Sequence, residues 1–116
     1  MDCYLASFSL QDGVKDGDFV ADLEGYMAYL KQRELIESHR LLRRKLGLGP
    51  RPLGEFLLIL EVRDMAQLER AFQHVGAREG EVEGRHFAVN SKVRDLFFAL
   101  YRDFPDPFRA FGAEKF

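Results

Sequence analysis

Apolar positions along this chain follow two periods, and the changes between them mark the elements. "CYLASFSL" (3–10) is a short apolar and aromatic run that ends in the turn formers "QDGVKDGD", the signature of a strand running into a loop. Asp18 can then cap a helix over residues 18 to 33. Phe19, Leu23, Tyr26, Met27 and Leu30 recur on its one face, the spacing of a buried helical stripe. "EFLLILEV" (55–62) is a second clear strand after the glycine and proline loop "GLGPRPLG" (47–54). Asp64 followed by Gln67 reads as a capping box, and Leu68, Phe72 and Val75 as the apolar face of a second helix that stops at Gly76. "EVEGRHFAVNSKV" (81–93) can hold a short extra helix, and "DLFFALYRDF" (95–104) is a last strand ended by "PDP".

The stretch between the first helix and the loop fits both periods. Leu35, His39, Leu42 and Leu46 have helical spacing. A helix continued through them would reach about 29 residues, too long for a small domain outside a coiled coil. At period two, Ile36, Ser38, Arg40, Leu42, Arg44 and Leu46 share one face, and Glu37, His39, Leu41, Arg43 and Lys45 the other. The strand over 36 to 46 is the better reading. It can pair with 55–62 as an antiparallel hairpin, with Lys45 opposite Glu55, His39 opposite Glu61 and Leu42 opposite Leu58. A one-residue slip would exchange the faces.

The element order is βαβ-βα(α)β, the α+β ferredoxin-like plan βαββαβ, with helices on one face of an antiparallel sheet. "FLLIL" (56–60) and "LFFAL" (96–100) are apolar at every position. A sheet wet on one side should alternate. Both faces therefore need cover, and the chain has no spare helix. A homodimer through the open sheet face is the simplest remedy. The tail "PFRAFGAEKF" contributes Phe108, Phe111 and Phe116 and is expected to dock as an arm over about residues 105 to 116.

In element order the whole chain resembles the dimeric α/β-barrel superfamily. The phrases "RRKLGLGP", "HFAVNS" and "FALYRDFPD" are similar to those of an uncharacterised bacterial branch of it. The resemblance implies two ferredoxin-like subunits with their sheets together and a cleft between each subunit's helices and its sheet. It also implies a choice of activity among cofactor-independent monooxygenases, haem-degrading oxygenases, muconolactone isomerases and stress-responsive barrels. No residue set is shared across them, so the cleft carries over and a catalytic assignment does not. The haem-degrading members use a tryptophan, and this chain has none.

Composition removes several function classes. The chain has 116 residues, 47% hydrophobic and 31% charged, with a formal net charge of −2. That is one domain, 1–116, with no global pull toward nucleic acid or an anionic membrane. The lone Cys3 forms no internal disulfide, fits a reducing cytoplasm, and has no basic sequence neighbour to make it a nucleophile. The start has no basic region before its apolar run, and no apolar stretch is long enough to span a membrane. His39, His74 and His86 are scattered without a paired-ligand spacing, so no metal is expected. The prolines of "GLGPRPLG" stand where a phosphate cradle would need N–H groups. No cofactor is expected.

Two sets of candidates remain. His86 and Asn90 are i, i+4 neighbours on the short helix and could present a base and a hydrogen-bonding partner to one small molecule. A surface histidine and a helix-end asparagine is the alternative. Arg40 and Arg44 share a face with Leu42 and Leu46, where guanidinium groups on an apolar wall would suit an anionic ligand. They could equally reach the rim and pair with Asp22 or Glu24. Tyr101 could add a phenol or pack at a strand end. Two functions follow: a cofactor-independent oxygenase or isomerase acting on a small apolar, anionic metabolite, or a non-catalytic binding or stress-response dimer using the same cleft.

Overall fold

The computed structural model describes residues 1–105. The elements are β1 (Asp2–Leu10), α1 (Asp16–Gln32), β2 (Ser38–Arg43), β3 (Phe56–Val62), α2 (Met65–Gly76), α3 (Gly80–Asn90) and β4 (Val93–Arg102). The strands form one antiparallel sheet in the order β2-β3-β1-β4. This is the ferredoxin-like α+β plan, with an extra short helix before the last strand. None of the described helices is long and apolar enough to cross a membrane. The aromatic tail expected to dock lies outside the described residues beyond Pro105.

Period two is visible in the burial of the central strands. Ala6 and Phe8 of β1 and Phe56, Leu58 and Val62 of β3 are buried under the helices. Leu57 and Ile59 lie on the opposite face, where they oppose Ser7 and Leu5 of β1. The helix-side core is closed by the expected stripe of α1, with Phe8, Phe19 and Phe56 packed ring to ring. α1 starts at Asp16 rather than after Asp18, and Lys15 takes the cap position. Both acids then lie in the first turn, at the positive end of the helix dipole.

The segment after α1 corrects two expectations. Leu35 and Ile36 are buried but serve as a link, so β2 is shorter than the expected strand. Its register also slips by one residue: His39 opposes Leu60, Arg40 opposes Ile59, Leu41 opposes Leu58 and Leu42 opposes Leu57. The helix-facing set is therefore His39, Leu41 and Arg43. The side chains of α1 account for the choice. His39 Nε2 lies 3.0 Å from Glu24 Oε1, and Arg43 Nη1 lies 3.0 Å from Asp16 Oδ2 while its Nε donates to Glu55. The inward basic residues meet acids of α1, which the opposite register would have left facing an apolar wall. Lys45 leaves the ladder for a turn in which the Leu48 amide donates to its carbonyl.

Gln67 joins three segments. It is fully buried on α2, and its backbone amide donates to the Asp64 carboxylate at 2.8 Å, the first half of the expected capping box. Its side-chain oxygen accepts from the Arg63 amide at 2.8 Å, one residue before the cap, and its nitrogen donates to the Glu34 carbonyl at 2.9 Å. The residue thus ties the end of β3 to the link after α1. Gln67→Met keeps the volume and strands a buried donor and acceptor, at a cost of about 1–3 kcal/mol. Urea unfolding should show a lower midpoint at unchanged slope. A midpoint equal to that of the parent would mean these bonds are not holding the link.

Candidate functional site

Between the sheet and the helices lies a cavity of about 330 Å³. Its floor is Tyr4, Ala6 and Phe8 of β1 with Leu58 and Leu60 of β3, and its roof includes Leu23, Met27, Leu68, Val75 and Val89. β4 closes one end. A register irregularity opposite Ser7 and Ser9, with Asp95 at φ 57°, lets Val93, Leu96 and Phe98 all reach the cavity. A bulge of this kind adds one residue and re-aims the strand. Phe98 stacks on Tyr4, and Phe72 of α2 meets Tyr4 edge-on, leaving a rim of exposed aromatic surface at the mouth.

Against the aliphatic walls stand Tyr26, Arg78, His86 and Asn90, with the Tyr4 phenol in the floor. His86 and Asn90 are brought together as their helical spacing requires, since α3 presents both to the cavity. Val93, expected on that helix, is instead the first residue of β4. Arg78 lies in the three-residue link between α2 and α3 and has φ 56°. A left-handed backbone costs a non-glycine residue roughly 1–2 kcal/mol. That conformation aims its guanidinium at α3. Nη1 of Arg78 lies 3.0 Å from His86 Nδ1 and 3.8 Å from Glu83 Oε2, a buried oxygen with no hydrogen-bond partner among the described residues.

The other sequence candidates lie elsewhere. Arg40 opposes Ile59 on the open face of the sheet, because of the register slip. Arg44 lies just past β2, where its Nη2 donates to the carbonyls of Pro50 and Leu53 and pins the loop over 47 to 54. Tyr101 is exposed on the open face, opposite Cys3. None of the three lines the cavity, so the anion argument built on the arginines does not apply there. Two cavity residues escaped the sequence reading. Tyr26 reads as one more member of the α1 stripe, and Arg78 is not among the residues singled out. The spacing of Arg78 to His86 is the only linear signal, and it carries no motif. No cluster of side chains among the described residues could hold a metal ion.

Burial pushes the Tyr26 phenol up to about 12, so it is a protonated donor near neutral pH. No hydrogen-bond partner for its hydroxyl is found among the described residues. Its ring meets the His86 ring edge-on at 6.1 Å.

Residues 1–116 match a family model described as a family of unknown function (DUF6614). The chain belongs to that family. No curated protein matches it. Among solved structures, the chain is similar to SnoaB, a cofactor-independent oxygenase from Streptomyces nogalater, at 13% identity and a TM-score of 0.65, over 90% of this chain and 97% of that one. The Arabidopsis thaliana protein At3g17210 aligns at 8% identity and a TM-score of 0.72, over 91% and 98%. A dimeric protein of unknown function and ferredoxin-like fold from Bacteroides fragilis aligns at 10% identity and a TM-score of 0.56, over 88% and 95%. At such identities the likeness speaks for the fold.

Partial burial first, and the Arg78 charge second, hold His86 below its ordinary 6.5, with Glu83 opposing. The unfolded chain then binds this proton more readily than the folded one. Stability from the neutral ring is complete above about pH 6.5 and is lost as pH falls through the folded-state value. A proton NMR titration of the His86 ring should give a midpoint below 6.5. A midpoint at or above it would place the ring in open solvent or against a dominant acid.

Proposed function

We propose that this DUF6614 protein is a homodimer that binds a small apolar molecule in the cleft between its helices and its sheet. The observation that carries the reading is the convergence of Tyr26, Arg78, His86 and Asn90 on a cavity otherwise walled by aliphatic and aromatic side chains. A few placed polar groups in an apolar hollow of roughly 300–1,000 Å³ are typical of a small-molecule site. A reaction on the bound molecule would be of the cofactor-independent oxygenase or isomerase kind, a reading supported by the fold shared with SnoaB. His86 and Asn90 would then touch the substrate. Cytoplasmic location and membership of a bacterial branch of the dimeric barrels belong to the same proposal.

The dimer rests on the other face of the sheet. Leu5, Leu57 and Ile59 are half-buried there, and Leu42, Phe97 and Tyr101 are exposed. Fully burying one such side chain contributes about 1.5–3 kcal/mol, large beside a net stability of about 5–15 kcal/mol. The Bacteroides fragilis and Thermobifida fusca proteins of this fold are described as dimeric. A second copy laid sheet to sheet would cover the patch.

Both parts can be measured on one preparation. Sedimentation equilibrium at micromolar concentration should give about twice the 13.4 kDa chain mass, and Ile59→Asp should shift it toward the monomer. Ethylnaphthalene, followed by its own fluorescence, should bind saturably, and Val89→Phe should abolish that binding by filling the cleft. A parent protein that sediments as a monomer removes the dimer. Non-saturable uptake, or binding unchanged in Val89→Phe, removes the cleft.

A further inference from the structure

Arg78 sets the chemistry of the cleft through His86. A guanidinium has donors only, so the imidazole nitrogen 3.0 Å from its Nη1 must accept. A neutral ring that accepts at Nδ1 carries its single proton at Nε2. A ring turned over would set Cδ2 against Arg78 and lose the bond, so the contact itself selects the placement with Nδ1 as acceptor. Glu83, three residues before His86 on α3, lies 3.8 Å from the same Nη1 and offsets part of its charge. The polar wall is therefore rich in donors. His86 Nε2–H, the Tyr26 hydroxyl and the Asn90 amide have no hydrogen-bond partner among the described residues, and all three side chains line the cavity.

We infer that Arg78 is a positioning residue that fixes His86 as an Nε2–H donor. The cleft therefore takes an apolar molecule whose polar point is an acceptor oxygen, a ketone carbonyl or its enolate. This deepens the small-molecule reading above and rests on it. It also changes the role of His86. With its only basic nitrogen occupied by Arg78, the ring holds an oxygen instead of removing a proton. Arg78 follows the C-cap of α2 in the left-handed conformation that ends many helices. That conformation is what brings its side chain to both His86 and Glu83.

The first arm of the test needs no ligand. Long-range nitrogen-15 correlation spectra should show His86 as the Nε2–H tautomer near neutral pH. Arg78→Lys, which also offers only donors, should keep that tautomer. Arg78→Met should lose it, because Nδ1–H can then turn to Glu83. Arg78 is largely exposed, so these variants should fold. The second arm compares acetylnaphthalene with ethylnaphthalene, which share an apolar body and differ by the carbonyl. The ketone should bind more tightly by a factor of about three to ten, the worth of one neutral hydrogen bond, and the preference should vanish in Arg78→Met. An Nδ1–H tautomer in the parent, or one unchanged in Arg78→Met, overturns the positioning role. Equal binding of the two probes overturns the ligand class and leaves the cleft standing. If neither probe binds, the cleft reading fails and the ligand class with it.

Discussion

Strands β1 and β3 lie side by side in the centre of the sheet and carry apolar side chains on both of their faces. Leu58 and Leu60 point toward the helices while Leu57 and Ile59 point away. A sheet of this kind is stable only if water is kept from both sides. The rest of the structure follows from how each side is closed. On one side α1, α2 and α3 cover the strands. The other is left with a patch that none of the described helices covers.

The helical cover is incomplete, and the gap is the candidate site. α1 seals the β1–β3 centre through Phe19 and Leu23, both fully buried. α2 is held at the far edge by Gln67 and its bonds to Arg63, Asp64 and Glu34. α3 turns away from it through a short link with Arg78 in a left-handed conformation. The space left between them is walled by apolar side chains, except where Tyr26, Arg78, His86 and Asn90 meet. Protein interiors are otherwise close-packed, so a void of this size framed by donors is a feature the fold maintains at a cost in dispersion contacts.

Much of the architecture could be read from the chain because burial imposes a period. The α1 stripe, the β3 run, the Asp64–Gln67 cap and the i, i+4 pair on α3 each come from local spacing, and each is where the sequence places it. The register of β2 could not be read this way. Leu41 and Leu42 are adjacent and equivalent in hydrophobicity, so either could face the core. The decision fell to Asp16 and Glu24 on α1, which are distant in sequence from the residues they meet. That slip moved Arg40 to the open face. Arg78 was illegible for a related reason. Its role depends on the angle between two helices and on one positive φ, neither of which leaves a periodic trace.

The central claim is that the two apolar sides of one sheet have different tasks: the helix side receives a small molecule and the open side receives a second subunit. The most direct test is a map of backbone amide shifts as acetylnaphthalene is titrated into nitrogen-15-labelled protein. The account predicts that the largest changes fall on Tyr26, Leu58, Val75, His86 and Val89, around the cleft. Changes centred instead on Leu42, Leu57, Ile59 and Phe97 would mean that the probe seeks the open face, and would contradict the division of labour on which the account rests.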